Sequence, residues 1–419
     1  MVLPAVSMWQ ELVRACGIIR RRRVPVRNVF VAVAAAVLLL AACSSGPAQS
    51  SGHRKTSPHH ARLRSSSVWT TNGAHQVAES TSALVTLIAG PTYTLPDSQE
   101  DVSGYVPGRG LLVNVWPTTN SDMVTTSPGR LLLMNPTTRS SVNLMGPALP
   151  GQEPVMVTSD SNWVFWGQMN DQGGPQTYYL YNVKTGVRRR FTDALASSGD
   201  LSGAALVGDT LYVAGTAQTG KCTVTEIEQV HLMQGTSTPL VVARDCTVES
   251  SPRIPQVAKL TSSQLPLRLS GVAVARPALA GNDLLFVALP QMENFERGIP
   301  SALVQLNLDD GATQVVAESP TLIAAVAADS DVTGFVAGNI LYALSRKGLF
   351  VVEYTQNPIP SVSGPLVTCV GGQGIVYNDS SGAVYQAPGN TVSVTLAGPW
   401  ISWYDNSIRV AQIQPQLLQ

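Results

Sequence analysis

Acid–base chemistry in this chain would have to come from carboxylates. Asp160, Asp171, Asp209, Asp283, Glu293, Glu296 and Asp405 are scattered among short apolar runs. Two of them facing each other across a cleft could cleave a glycosidic bond, one protonating the leaving oxygen while the other attacks or activates water. Most sit in turns, where Asp also serves the local backbone, so no pair is singled out. Histidine offers less. His53, His59 and His60 share one basic stretch with Arg54, Lys55, Arg62 and Arg64, which leaves His75 and His231 for any Ser-His-Asp relay. His231, in Glu228-Gln229-Val230-His231-Leu232, reads as a half-exposed residue of an alternating strand. Asp329-Ser330-Asp331-Val332-Thr333-Gly334 imitates the start of a calcium loop, but its twelfth position is Ile340, where a bidentate Glu belongs. It reads as a turn, and neither a metal nor a cofactor is implied. Aromatic residues remain. Trp163-Val164-Phe165-Trp166 is read as placing both tryptophans on one strand face, and Trp400 lies near Trp403. Exposed, these four would stack sugars or anchor a protein partner; buried, they would fill the space between sheets.

Export chemistry is written at the N-terminus. Arg20-Arg21-Arg22-Arg23 and Arg27 precede an apolar run from Val29 to Leu40, which is short for a membrane span and right for a signal-peptide core. The next residues, Leu40-Ala41-Ala42-Cys43, resemble the bacterial lipobox at all four positions. That resemblance implies diacylation of the Cys43 sulfur and cleavage just before it. Two acyl chains hold a protein stably where one does not, so the expected location is the extracytoplasmic face of the cell membrane. Residues 1–42 are then a signal peptide (shorter if translation starts at Met8), 43–67 a flexible tether, and 68–419 the folded domain. The tether's basic residues read as solvated charges near anionic lipid heads. With Cys16 in the leader and Cys43 lipidated, Cys222, Cys246 and Cys369 remain. The oxidising compartment implied by export favours a Cys222–Cys246 disulfide, whose loop closure is worth about 3 kcal/mol. Cys369, in Leu366-Val367-Thr368-Cys369-Val370, reads as a buried free thiol.

Composition narrows the fold. Charged residues are 13% of the chain against 44% hydrophobic. Long amphipathic helices need far more Glu, Lys and Arg for their wet faces. The formal charge of zero conceals a split: 69–419 carries 17 basic against 26 acidic residues, about −9. Such a domain repels a phosphate backbone, which excludes nucleic acid as a partner.

From Val68 onward, short β-rich runs recur with turn chemistry between them. Gly208-Asp209-Thr210-Leu211-Tyr212-Val213 is echoed by Gly281-Asn282-Asp283-Leu284-Leu285-Phe286 and by Gly338-Asn339-Ile340-Leu341-Tyr342-Ala343. A second pattern, strand then turn then Gly then strand, links Tyr179–Gly186 with Leu303–Gly311. Together they define a unit that recurs seven times, near Gly110, Asn162, Thr210, Asp283, Ile340, Gly374 and Ile401, at spacings from 27 to 73 residues. The last unit lacks a strand, which a segment near Val68–Thr71 or Ala83–Ile88 would supply. This array resembles a β-propeller of about seven four-stranded blades; six or eight are neighbouring counts, and two packed β-sandwich domains are the rival fold. Its strand–Thr-Gly–strand element is similar to blades of the quinoprotein-like group. The tryptophan ending each such blade is replaced here by Phe191 and by Val315 or Val316, so the likeness implies the architecture and not the cofactor. The expected function is a non-catalytic, lipid-anchored module binding an envelope protein or glycan. The alternative is a glycan-active hydrolase or lyase with carboxylates in the channel.

Overall fold

The computed structural model describes residues 68–419, apart from 79–81, 96–99, 119–124, 171–175, 199–200, 220–221, 247–256, 260–265, 291–297, 357–358, 389–390 and 392. The signal segment, the tether with Cys43, and Asp171, Glu293 and Glu296 lie outside the described residues. Seven antiparallel sheets follow one another along the chain. Blade 1 holds Glu100–Val106, Gly110–Val115, Arg130–Met134 and Ser141–Asn143, and blade 2 holds Gln152–Ser159, Trp163–Asn170, Thr177–Asn182 and Arg188–Phe191. Blade 3 holds Leu201–Val207, Thr210–Thr219, Cys222–His231 and Thr236–Cys246; blade 4 holds Val272–Ala280, Asp283–Pro290, Ser301–Asn307 and Ala312–Ser319. Blades 5 and 6 run from Ile323–Ala328 to Gly348–Tyr354 and from Ile359–Ser363 to Val384–Gln386. Blade 7 takes Val394–Ala397, Trp400–Tyr404 and Ile408–Ile413. Each innermost strand touches that of the next blade, and blade 7 touches blade 1, so the ring closes. This is a seven-bladed β-propeller; a short helix α1 (Ala194–Ser198) lies between blades 2 and 3.

The fourth strand of blade 7 comes from the N-terminal end of the domain. Strands β1 (Trp69–Thr70), β2 (His75–Gln76) and β3 (Ser82–Ala83) lie parallel along the outer edges of blades 4, 5 and 6 in turn. The chain then enters β4 (Ile88–Thr94), which pairs antiparallel with Ile408–Ile413. Of the two segments expected to supply this strand, Val68–Thr71 lies on the rim of blade 4, and Ala83–Ile88 ends where the closing strand starts. Leu84–Leu87 instead forms a single 3-10 turn that buries Leu84 and Leu87 between blades 6 and 7.

Seven hydrophobic clusters occupy the seven spaces between neighbouring blades. Most strands are thus covered on both faces, which is why they read as nearly continuous apolar runs and why few charged residues are needed. Each fully buried Leu, Ile or Phe contributes about 1.5–3 kcal/mol of burial energy. At the closing interface Gly398, with φ 55°, sits against the Tyr105 ring of blade 1, and a Cβ there would collide with that ring.

The seven sequence units map one to each blade. Gly110, Asn162, Thr210, Asp283 and Ile401 stand at or beside the start of second strands, whereas Ile340 and Gly374 mark third strands, because the Gly-then-apolar pattern recurs one hairpin later there. The second pattern is the turn joining third to fourth strand. Asn182, Asn307 and Asn378 end that third strand and Asn135 directly follows it, and each side-chain oxygen accepts the backbone N–H three residues on, at 2.9–3.1 Å. The residue four positions on donates its own N–H to the Asn carbonyl and adopts a left-handed φ: Gly186 (71°), Gly311 (67°), Gly382 (72°), and in blade 1 Arg139 (60°). A side chain in that conformation is strained where glycine is not. Arg139→Gly is therefore expected to stabilise the domain by about 1 kcal/mol, seen as a raised urea midpoint at unchanged slope; a lowered midpoint would show that Arg139 makes contacts outweighing its backbone strain.

Candidate functional site

The innermost strands surround a central channel. In blades 1 to 5 their pairing is broken by an irregularity near Ser103, Met156, Ser202, Arg276 and Ala324. Met156 (φ 52°) and Arg276 (φ 58°) are left-handed there, as residues in bulges are. At the end where these strands begin, blades 1, 2, 6 and 7 line a shallow depression of about 50 Å³. Blade 1 supplies Asp101, Ser103, Asn114 and Trp116; blade 2 supplies Pro154 and Met156; blades 6 and 7 supply Pro360, Ser361 and Thr395. Asp101, Trp116 and Thr395 are half-buried and line it beside more deeply buried neighbours. Beneath them Ser103 donates to the Asn114 side chain (3.1 Å), and Ser361 accepts the Leu396 N–H (3.0 Å), which fixes the blade 1 wall and joins blade 6 to blade 7. Asp101 is the carboxylate among the described residues of this mouth.

The carboxylates singled out from the sequence are elsewhere. Asp160 and Asp209 sit in first turns of blades 2 and 3, at the opposite end of the innermost strands. Asp160 caps its turn by accepting the N–H groups of Asn162 (2.7 Å) and Trp163 (2.8 Å), while Asp209 accepts the Trp163 indole N–H (2.8 Å). Burial and neighbouring Asp209 raise the Asp160 carboxyl, opposed by those N–H groups. Asp283 is buried in blade 4 and accepts Gln305 and Asn307 amides at 2.6 Å each. Asp405 lies exposed in a turn of blade 7. These are backbone and inter-strand duties, and no two face each other across the channel among the described residues. Asp329 likewise serves a turn, accepting N–H from Ser330 (2.7 Å) and, across the blade boundary, from Gly364 (2.8 Å).

All four candidate tryptophans are buried, at 0–7% exposure. Trp163 and Trp166 are not on one face, as the sequence reading had them: side chains alternate along a strand, so residues three apart point oppositely. Trp163 packs toward blade 3 and Trp166 toward blade 1; Trp400 packs toward blade 1 and Trp403 toward blade 6. They fill the spaces between blades. The aromatic that does reach a cleft is Trp116, together with Asp101, and neither was singled out beforehand. Their signal was positional. Gly110 opens a second strand, so the strand before it lines the channel, and an aromatic just beyond Leu111–Val115 stands at the mouth.

Cys222 stands directly opposite Cys246 in the ladder of blade 3. Cys369 is buried, and burial pushes its thiol up to about 12. Beside it, between blades 5 and 6, Glu353 is 4% exposed and accepts N–H bonds from Gln373 (2.5 Å) and Ile375 (3.4 Å). Burial outweighs those bonds and raises its carboxyl from 4.5 to about 7. In blade 3, Glu228 is also raised to about 7, by burial first and then by the adjacent Asp193. His75 lies exposed on β2 beside the Phe350 ring (5.9 Å), and His231 ends a strand half-buried.

No protein-family model and no curated protein matches this sequence. Solved structures similar to it include TolB from Acinetobacter baumannii, at 10% identity and TM-score 0.35, covering 69% of this chain and 56% of that one. The β-propeller domain of the Trilobed protease from Pyrococcus furiosus is 8% identical, with TM-score 0.44, covering 72% and 88%. Oligogalacturonate lyase from Vibrio parahaemolyticus is 10% identical, with TM-score 0.39, covering 82% and 98%. The chain thus spans just over half the length of TolB. These are likenesses of remote propellers and assign no activity.

Glu353 gives a pH prediction. A carboxyl whose folded pKa lies above its free value binds its proton more tightly when folded, so its favourable contribution is complete below about pH 4.5 and is lost as pH rises through 7. Glu353→Gln is expected to leave stability near pH 4 within about 1 kcal/mol of wild type and to raise it at pH 8 by about 2 kcal/mol. Urea unfolding at the two pH values checks this; an unchanged difference between them would contradict it.

Proposed function

We propose that this chain is a lipid-anchored, extracytoplasmic propeller that serves as a binding module of the cell envelope, taking an envelope protein or glycan at its channel mouth. The observation that carries the reading is the convergence of Asp101, Trp116 and Thr395 over a floor that includes Pro154, Met156 and Pro360. An indole face, a carboxylate and a hydroxyl around an apolar floor recognise a sugar ring or an extended peptide by stacking and hydrogen bonds. The hydrolase or lyase alternative requires a second carboxyl group within roughly 5–10 Å of Asp101.

Anchoring through Cys43 rests on the lipobox likeness. The tether would join the domain at the outer edge of blade 4, where Val68 precedes β1. A flexible chain from Cys43 to that point spans roughly 28 Å on average, enough to let the mouth turn toward a neighbour in the membrane. The ladder register favours a Cys222–Cys246 disulfide, since directly opposed residues bring their Cβ atoms close.

Crosslinked membranes carrying the tagged full-length protein test the reading, with Cys43→Ser as the unanchored form and Asp101→Asn/Trp116→Ala as the altered mouth. One near-stoichiometric partner is expected from wild type, reduced about tenfold or more by the mouth variant and released with the soluble fraction by Cys43→Ser. A partner retained in full by the mouth variant would place binding elsewhere. Glycan cleavage by the purified protein, abolished by Asp101→Asn, would replace the module with the enzyme.

A further inference from the structure

The outer edges of the blades are treated unequally. Blades 3 to 6 each carry an extra strand of this same chain on their rim: Leu267–Ser270 on blade 3, β1 and Val257–Lys259 on blade 4, β2 on blade 5 and β3 on blade 6. Blade 7 ends in β4, whose Gly90-Pro91 and register shift blunt that edge. Blade 1 ends in a strand of only three residues, Ser141–Asn143. Blade 2 ends in Arg188–Phe191, in unbroken register with Thr177–Asn182 and with no strand beyond it among the described residues.

That edge carries three consecutive arginines, all exposed. Arg188 and Arg190 stand opposite Tyr181 and Tyr179 on one face of the sheet, and Arg189 stands opposite Leu180 on the other. Two of the guanidinium groups are held in place. Arg188 lies over the Tyr179 ring at 5.4 Å; Arg189 lies over Trp163 at 5.3 Å and donates to the Leu232 carbonyl at 2.6 Å. Fixed cations therefore flank the open strand on both faces, in a domain whose overall charge is negative.

We propose that the outer edge of blade 2 accepts an extended acidic segment of a partner protein as a fifth strand. The chain already uses this mode of coverage on four of its own blades. The same arginines repel a basic edge and favour an acidic one over a neutral one, its alternating side chains meeting Arg188 and Arg190 on one face and Arg189 on the other. The chain's own segment 43–67 is basic and carries no acidic residue, so like charge disfavours it as the occupant.

The test is fluorescence anisotropy of the full-length protein in detergent with three labelled probes: a short peptide of alternating Val and Glu, its Val-Lys counterpart, and the Val-Glu peptide N-methylated at alternate residues. Binding of the first alone is expected, weakening with salt and falling about tenfold in Arg190→Glu at an unchanged melting temperature. Equal binding of the Lys peptide, indifference to N-methylation, or unchanged affinity in Arg190→Glu would overturn the proposal. So would Arg190-dependent binding to phosphatidylglycerol vesicles with none to the peptides, which would assign the row to the membrane surface.

Discussion

The pairing of β4 with Ile408–Ile413 holds the two ends of the domain together, and the rest of the structure depends on it. A sheet in this molecule is stable only when both its faces are covered by neighbouring blades, and a row of seven sheets leaves two faces bare unless it becomes a ring. Closure covers them. Val102, Leu111 and Val113 of blade 1 meet Ala397, Trp400 and Val410 of blade 7, and Tyr93 of the closing strand packs on the same cluster. The backbone is committed to that contact as well, since the Gly398 turn leaves no room for a side chain against Tyr105. The chain ends add small latches: Leu95 N–H donates to Ile408 O and Gln414 N–H to Leu87 O. Segments more than 300 residues apart in sequence thereby complete one sheet, so cooperative folding of the whole ring is the natural consequence.

Much of this architecture was legible because it is local and repeated. The apolar runs and paired turns recur from unit to unit, the Asn hairpin recurs in four of them, and period-two geometry converts these runs to strands without reference to the rest of the chain. What was misread has a physical origin of its own. The closing strand was placed a few residues early because Leu84 and Leu87 look like strand residues, yet they plug the blade 6–7 space from a tight turn. The two tryptophans of Trp163-Val164-Phe165-Trp166 were put on one face by overlooking an odd spacing. The channel mouth carried only the positional signal of Gly110, since Asp101 and Thr395 come to line one depression only once seven blades have turned through a full circle. Buried Glu353 was equally hidden: nothing in Val351-Val352-Glu353-Tyr354 announces that Gln373 and Ile375 of the next blade will cover it.

The functional surfaces divide along the same geometry. Polar groups inside the ring, Asp160, Asp329 and Glu353 among them, tie each blade to its neighbour through backbone N–H groups, and their raised carboxyls follow from the burial that tying requires. Two places among the described residues look outward, the mouth around Asp101 and Trp116 and the arginine edge of blade 2. Asp101 and Trp116 belong to blade 1 and the arginines to blade 2, and the strands β1 to β3 flank neither blade.

Hydrogen exchange on the full-length protein, followed by mass spectrometry of peptides spanning 88–94 and 408–413, tests ring closure most directly. The account predicts that both segments are protected together and lose protection together in denaturant, at the same midpoint as the innermost strands. Rapid exchange of 88–94 under native conditions, while 408–413 and the innermost strands stay protected, would contradict it and show that the ring is closed by some other contact.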